Sequence, residues 1–368
     1  MVLDRPPAAR CAVSAAAAGS PPVIGLTLGD PCGIGPELWV RILCEELARE
    51  KKIGDLLPRL RLYGDAGLLG RTAHGLGRSA QWEAVREQLE LVEVTDLAAA
   101  ESEPGRPGPR SGAAQLAYLE AAIQAAERGE LAGLVTAPIH KASAKAAGLG
   151  FPGHTELLAA RLKGDGQVVM MLAGPSLRVA LCTTHLALAA VPQALTVEGI
   201  TQVLRTTALA LHRDFAIAAP RLWVAGLNPH AGESGHFGDE ESRLIAPAIA
   251  AALALPELKD LQQRSGLFIE GPLVPDAVFR AAVHPQTATP PPDAVVAMYH
   301  DQGLIPLKLV DFDAAVNVSL GLAVVRTSPD HGVAHDIAGR GIARPHSQRH
   351  ALHLCAELLK RRAAIRRV

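Results

Sequence analysis

Hydrophobic residues occur along the chain in two alternating patterns. Short runs rich in Val, Ile and Leu are typical of buried strands, and the longer amphipathic stretches between them are typical of helices. The predicted strands are Val23–Leu28, Leu60–Tyr63, Gly133–Ala137, Gln167–Leu172, Val179–Thr183, Leu222–Leu227, Leu267–Ile269 and Ala294–Met298. The predicted helices are Glu37–Arg49, Ala113–Arg128, Thr155–Leu162, Val197–Arg213, Glu240–Leu253 and Gln348–Arg366. This alternation indicates α/β layers with a largely parallel sheet.

The length of the chain and its Pro/Gly-rich stretches predict more than one domain. Its 368 residues are enough for two hydrophobic cores. The stretches Gly148–Gly153 and Pro285–Asp293 bracket a middle segment that reads as an inserted domain. We therefore predict a disordered tail over 1–20, a discontinuous first domain from 21–150 and 294–368, and a second domain over 151–293.

Composition excludes several classes of function. The net charge of −1 gives no sign of binding to nucleic acid or to an acidic membrane surface. The five cysteines are scattered and form no CxxC pair, which favours a reducing cytoplasm over a secreted disulfide framework. Since no apolar run reaches the roughly 18 residues of a membrane helix, we expect a cytoplasmic protein.

No standard nucleotide-binding motif is present. The nearest approach to GxGxxG is the segment Gly33–Leu38, which lacks the third glycine, and GxxxxGK[ST] does not occur. A conventional dinucleotide-binding or P-loop fold is therefore disfavoured, and any NAD would bind in another way.

Polar clusters follow several predicted strands, where ligands bind in open α/β sheets. The glycine-rich segment Gly29–Glu37 is either a tight strand–helix turn or the wall of a ligand cleft. In Gly153–Glu156, Thr155 is predicted to be the N-cap of a helix. That helix start either is a simple cap or offers its free N–H groups to a phosphate.

Three histidines each lie at or just past a predicted strand end: His185, His230 and His300. Three imidazoles with an open fourth position are typical of a catalytic metal site. Because the chain has 14 histidines and these three are distant in sequence, they are also compatible with three unrelated positions.

A late series of polar residues interrupts apolar runs. Lys308 and Arg326 predict either internal salt bridges or a pocket for phosphate or carboxylate, because buried cations need an anion. Asn317 lies between them. The polar, glycine-rich segment Ser328–Gly341 predicts a binding loop rather than a surface connector.

Taken together, six ordered motifs resemble one known family. They are LGDPCGIGPE, TAPIHK, GHTE, NPHAGESGHFGDEE, AMYHDQG and SPDHGVAHDIAGRGIA. They resemble the 4-hydroxythreonine-4-phosphate dehydrogenase family, and the resemblance runs from about Val23 to the C-terminus. It implies a fold like that of isopropylmalate and isocitrate dehydrogenases, which has two α/β/α domains, an interdomain cleft and no conventional Rossmann motif.

The resemblance also implies roles for individual residues. The implied metal ligands are His185, His230 and His300. The implied substrate-binding residues are His154, Thr155, Lys308, Asn317 and Arg326. The implied NAD contacts are His331, Gly332 and Asp336. The site of the family lies at the interface of a homodimer, so the second subunit is a candidate source of one metal ligand.

The implied reaction is the NAD-dependent oxidation and decarboxylation of 4-phosphohydroxy-L-threonine to 3-amino-2-oxopropyl phosphate, a step of pyridoxal 5'-phosphate biosynthesis. The cofactors would be NAD, or NADP, and one divalent ion such as zinc, magnesium or cobalt. Asp276 and His154 are both candidates for the proton acceptor, and the sequence does not choose between them.

Departures from the family pattern keep other reactions open. Ala277, Ala323 and Val333 stand where the family usually has Thr, Pro and Thr, and Cys32 stands where it has Ala or Ser. A related dehydrogenase of phosphorylated threonate or erythronate, or of a dihydrodiol, is one alternative. A phosphate acyltransferase and a metal-dependent hydrolase are the others.

Overall fold

The computed structural model of the chain describes residues 22–50, 59–151, 153–164, 166–284 and 290–365. The predicted tail over 1–20 lies outside these residues. In the part described, no helix is long and apolar enough to cross a membrane. Cys32, Cys44, Cys182 and Cys355 are free thiols.

Eleven strands form one sheet in the order β3-β2-β1-β4-β11-β10-β5-β6-β9-β7-β8. Their bounds are β1 Val23–Thr27, β2 Arg59–Gly64, β3 Glu90–Glu93, β4 Gly133–Thr136, β5 Val169–Ala173, β6 Arg178–Leu181, β7 Arg221–Ala225, β8 Phe268–Leu273, β9 Ala294–Ala297, β10 Val316–Leu320 and β11 Val325–Pro329. Strand β10 is antiparallel to both neighbours, and β5 is antiparallel to β6; all other pairs are parallel. The prediction of a largely parallel α/β sheet is confirmed.

Helices connect and cover these strands. Their bounds are α1 Gly35–Glu50, α2 Ala66–Gly75, α3 Ser79–Arg86, α4 Pro109–Glu127, α5 Lys141–Ala146, α6 His154–Arg161, α7 Val191–Ala194, α8 Val197–Arg213, α9 Ala246–Ala254, α10 Pro256–Ser265, α11 Pro275–Val283, α12 His300–Asp311 and α13 His346–Ile365. Short 3-10 turns lie at Ala99–Glu101 and Leu188–Ala190, and a π-helical turn over Glu241–Ile245 precedes α9.

All of the predicted strands and helices are present, with ends that shift by a few residues. The sequence reading missed β3, β10 and β11, and it missed helices such as α10, α11 and α12. It also placed Thr155 at the N-cap of α6, which is wrong. Gly153 is the N-cap, with extended backbone at φ −176°, and the helix begins at His154.

The division into two domains stays a prediction, but the strand pairing bears on its boundary. We assigned residue 294 onwards to the first domain. Strand β9 lies instead between β6 and β7, both from the predicted second domain. Helix α12 packs on β6 and β9. A boundary after α12 therefore fits the sheet better than one at residue 293.

Candidate active site

A cavity of about 410 Å³ brings together segments that are far apart in sequence. The end of β4, the start of α6, the loop after β6, and strands β10 and β11 all contribute to its wall. The implied ligand-binding residues that line it are His154, Thr155, His185, Asn317, Arg326, His331 and Gly332. The sequence motifs therefore converge on one place, although the roles of these residues remain predictions.

Arg326 is a buried cation in the wall of this cavity. It is buried within β11, donates hydrogen bonds of 2.7 Å to Thr136 Oγ1 and 3.0 Å to Ser319 Oγ, and leaves its Nε atom without a hydrogen-bond partner among the described residues. Burial lowers the pKa of the guanidinium to about 10. The two hydroxyl partners carry no charge, and the nearby carboxylate of Glu156 acts on Arg326 without forming an ion pair with it. Within the described residues Arg326 therefore keeps the capacity to bind an anion.

His154 begins helix α6 beside Arg326. Its Nε2 atom is buried and has no hydrogen-bond partner in the part of the chain described. Burial, reinforced by the positive charges of Arg326 and Lys141, lowers its pKa to about 3. His154 is therefore a neutral imidazole at physiological pH. The N–H groups of the first turn of α6, Thr155 among them, are the kind of donors that bind phosphate.

Two further polar atoms of the wall are buried and unmatched by described residues: Oδ1 of Asn317 and Nε2 of His331. The other ring nitrogen of His331 lies 3.1 Å from the carbonyl oxygen of Gly332. Burial lowers the pKa of His331. Buried polar groups are rarely left unmatched in native proteins, so this concentration indicates a site built for a polar ligand.

Lys308 does not line this cavity. Its Nζ atom forms an ion pair of 2.8 Å with Asp330 Oδ2. The alternative of an internal salt bridge thus describes its position in this chain. Asp330 directly precedes His331, so the ion pair joins helix α12 to the start of the glycine-rich loop.

His185 and His300 form a pair of imidazoles that fits a divalent metal ion. Their ring centroids are 5.4 Å apart, and both line an adjoining cavity of about 480 Å³. Nδ1 of His300 lies 2.7 Å from Asp301 Oδ1, which orients the ring and leaves Nε2 for a metal. Burial, with the charges of Lys141 and His300, lowers the pKa of His185 and favours its neutral, ligating form.

His230 is not part of this pair. It is exposed, and its ring neighbours Phe237 at 6.1 Å. The five residues 230–234 all have positive φ angles, from 39° to 81°, an arrangement that is costly for non-glycine residues. Buried Glu241 anchors the start of this loop by accepting hydrogen bonds from the N–H groups of Leu227 and Asn228. Within the described residues, no group of three ligands can hold a metal ion.

Asp276, one of the two candidate proton acceptors, lies in a different cavity. It lines a space of about 630 Å³ between α11 and α12, together with Tyr299 and Asp301. Asp301 and Tyr299 also line the cavity of His185 and His300. The cavity that contains Asp276 thus adjoins the cavity of the imidazole pair through these two residues.

The glycine-rich loop that contains the implied NAD contacts packs on the turn after β1. Asp30, fully buried, lies 2.7 Å from Nε2 of His335, and Glu37 accepts a hydrogen bond of 2.8 Å from Gly339 N. Asp336 is exposed. A further cavity of about 210 Å³ runs along the loop and shares His331 with the 410 Å³ cavity.

Sequence reasoning missed several residues of the site. Lys141 and Thr136 line the main cavity and Asp30 supports the loop, yet all three were noted only as letters of motifs. Glu156 is another residue of the cavity wall. The signal that could have found them is their position at or soon after the ends of β1 and β4, or in the first turn of α6, where sheet folds bind ligands.

Comparison with known proteins agrees with the geometry. A family model described as pyridoxal phosphate biosynthetic protein PdxA matches residues 58–355. The chain belongs to the PdxA family. A 4-hydroxythreonine-4-phosphate dehydrogenase from Geobacter metallireducens is 43% identical over 348 residues, which are 92% of this chain and 96% of the relative.

Solved structures give the same result. The crystal structure of 4-hydroxythreonine-4-phosphate dehydrogenase from Klebsiella pneumoniae is 34% identical with a TM-score of 0.73, covering 92% of this chain and 98% of that one. The crystal structure of terephthalate 1,2-cis-dihydrodiol dehydrogenase from Burkholderia xenovorans is 29% identical with a TM-score of 0.60, covering 91% and 98%. Members of the PdxA fold thus include dehydrogenases with different substrates.

Proposed function

We propose that this protein oxidises and decarboxylates 4-phosphohydroxy-L-threonine to 3-amino-2-oxopropyl phosphate, with NAD as the hydride acceptor. The observation that carries the proposal is Arg326, a buried cation that forms no ion pair among the described residues, in a cavity where His154, Asn317 and His331 also have unmatched buried polar atoms. The names of the PdxA relatives support the same substrate. The product serves pyridoxal 5'-phosphate synthesis.

The phosphate end of the substrate would bind at Arg326. The unmatched Nε atom of Arg326 and the first-turn N–H groups of α6 at Thr155 supply donors, and neutral His154 and Asn317 complete the wall. The ion pair of Lys308 with Asp330 would hold the residue that precedes His331 in place. Anchoring the phosphate holds the carbinol carbon in a fixed position and so lowers the entropic part of the barrier.

One divalent metal ion, of the zinc, cobalt or magnesium kind, would be held by His185 and His300. Because His230 lies apart from this pair, the third ligand is His230 of the partner subunit in a homodimer. When bound, the ion supplies Lewis acidity that lowers the pKa of the substrate hydroxyl and stabilises the charge that develops on its oxygen. Asp301 keeps the ring of His300 oriented for this role.

The hydroxyl proton needs an acceptor, and the site favours Asp276 over His154. An imidazole with a pKa of about 3 is a poor base at neutral pH. Asp276 shares its cavity wall with Tyr299 and Asp301, next to His300. His154 therefore acts as a hydrogen-bonding partner of the substrate.

NAD would lie along the glycine-rich loop, with His331 and Gly332 at the substrate end. Asp336 is exposed on this loop. A carboxylate there suits the ribose hydroxyls of NAD and repels the extra phosphate of NADP.

We place the enzyme in the cytoplasm, since the described cysteines are free thiols.

A phosphorylated threonate or erythronate is the second candidate substrate, because it has the same phosphate and carboxylate ends. Terephthalate dihydrodiol carries carboxylates but no phosphate, so it would lack the group that we assign to Arg326. A phosphate acyltransferase would not need the imidazole pair. A metal-dependent hydrolase would not need the glycine-rich loop that contains the implied NAD contacts.

Comparing kcat/KM for four compounds tests the proposal. The purified enzyme is supplied with NAD and zinc, and NADH formation is followed with 4-phosphohydroxy-L-threonine, 4-phospho-threonate, 4-phospho-erythronate and terephthalate dihydrodiol. We expect the amino acid to be preferred. A higher kcat/KM for either phosphorylated hydroxy acid would move the assignment to that substrate.

A further inference from the structure

The left-handed turn of residues 230–234 carries His230, and its conformation is unusual for its sequence. Four of its five residues are not glycine, although each has a positive φ angle. L-residues rarely adopt this conformation, because the Cβ atom then crowds the following carbonyl oxygen. The turn therefore needs contacts from outside itself to hold it, and backbone strain of this kind is concentrated at functional sites.

Glu241 supplies such contacts from the start of the π-helical turn that precedes α9. Its side chain is buried. Its Oε1 atom accepts hydrogen bonds of 2.8 Å from Leu227 N and 2.7 Å from Asn228 N, and its Oε2 atom accepts one of 3.0 Å from Asn228 Nδ2. Both oxygens of the carboxylate therefore fix the chain shortly before His230.

Two glycines allow the carboxylate of Glu241 to lie against the turn itself. A Cβ atom on Gly232, within the turn, would approach Oε2 to 2.7 Å. A Cβ atom on Gly226 would approach Oε1 to 3.1 Å and the Cα atom of Ala231 to 3.2 Å. The carboxylate thus contacts both the turn and the segment that leads into it from β7.

We infer that Glu241 is a positioning residue, whose carboxylate holds the turn in the conformation that presents His230 to the metal site of the partner subunit. This inference rests on the proposed function, in which His230 is the third ligand. The hydrogen bonds of Glu241 among the described residues go to Leu227 and Asn228 rather than to the imidazole, so it acts through the backbone. Without the carboxylate, a smaller fraction of the dimers has His230 in place, and the apparent affinity for the metal falls with that fraction.

Competition with a chromophoric chelator measures the zinc affinity of the full-length dimer and tests the inference. The variants are Glu241→Gln, His230→Ala and the double variant, with Glu233→Gln as the matched control. Glu233 is an exposed glutamate of the same turn, so its substitution removes the same charge and leaves the buried hydrogen bonds intact. Asn228→Ala is a milder variant, since it removes the amide that donates to Glu241 and Glu240 but keeps both backbone donors. Urea denaturation without zinc reports the stability of each variant.

We expect Glu241→Gln to weaken zinc binding by about 10- to 100-fold, the usual effect of removing a group that orients a metal ligand. Glutamine keeps one acceptor oxygen but turns an NH₂ donor towards the amide donor of Asn228. Because Glu241 acts through His230, the double variant should bind zinc within about twofold of His230→Ala alone. Glu233→Gln should bind zinc as the wild type does.

A purely structural Glu241 would give a different result. The free energy of unfolding of Glu241→Gln would fall while the zinc affinity of the folded dimer stayed unchanged, and this would overturn the inference. A further loss of affinity when Glu241→Gln is added to His230→Ala would also overturn it. If Glu241→Gln does not fold, Asn228→Ala decides: weaker zinc binding supports the inference, and unchanged binding overturns it. Wild-type zinc affinity in His230→Ala would instead overturn the three-histidine site of the proposed function, and the inference with it.

Discussion

Nε2 of His335 lies 2.7 Å from Oδ2 of Asp30, and this contact joins two segments that are 305 residues apart. Asp30 is fully buried in the turn after β1, and its other carboxylate oxygen accepts a hydrogen bond from Cys32 N. The ring of His335 also contacts His140 edge-on at 4.9 Å. The loop with the implied NAD contacts is thereby fixed to the rigid sheet.

Replacing His335 with Leu should destabilise the protein. The change leaves a buried carboxylate with one partner fewer, at a cost of about 1–3 kcal/mol in the free energy of unfolding. Urea denaturation measures the loss, with His74→Leu, an exposed histidine on α2, as control. We also expect a higher KM for NAD. Unchanged stability and unchanged KM would show that the contact does not hold the loop.

Local sequence signals predicted the sheet well but failed where packing overrides them. Helix α12 contains Gly303 and Pro306, both unfavourable in a helix interior, so the segment was not predicted to be helical. Gly303 is required there because a Cβ atom would approach Val179 Cγ1 to 2.4 Å. Strand β11 was missed because it includes a charged residue, Arg326. A charged residue is buried in this strand because its side chain lines the cavity.

Arg326→Lys should weaken phosphate binding. Lysine keeps the positive charge but has only one ammonium group. It cannot replace the planar guanidinium, whose several N–H donors contact Thr136, Ser319 and a ligand at the same time. We expect a loss of about 10-fold or more in affinity for inorganic phosphate by calorimetry, consistent with the loss of a charge-assisted hydrogen bond. The exposed Arg243→Lys is the control. Wild-type affinity in Arg326→Lys would exclude bidentate anion binding at this residue.

Anion binding should depend little on pH near neutrality. His154, with a pKa of about 3, stays neutral above that pH, and Arg326, with a pKa of about 10, stays charged below it. Affinity for sulfate, which keeps both charges throughout, should be constant between about pH 5 and pH 8 and should fall as pH rises through about 10. A decrease centred near pH 6.5 that His154→Asn removes would contradict this.

The candidate site was predicted only in part, because its final form depends on contacts between distant segments. The motifs pointed to His154 and Arg326 as substrate-binding residues, which stays a prediction, and both line one cavity. They did not reveal that Lys308 pairs with Asp330, or that Lys141 lines the wall instead. Side-chain direction at the end of a strand is decided by tertiary packing, which a single sequence does not show.

Mixing two inactive variants tests whether metal ligands come from both subunits. His185→Ala and His230→Ala should each lose bound zinc and turnover. After co-refolding in equal amounts, half of the dimers are mixed and one of their two sites is intact, so about a quarter of the wild-type activity should return. If all three ligands came from one chain, no activity would return.

Simultaneous measurement of NADH and CO₂ tests the central claim most directly. With 4-phosphohydroxy-L-threonine, NAD and zinc, the account predicts that both products appear in equal amounts and that a chelator abolishes both. A folded, zinc-loaded protein that produces neither would contradict the assignment of oxidative decarboxylation to this site.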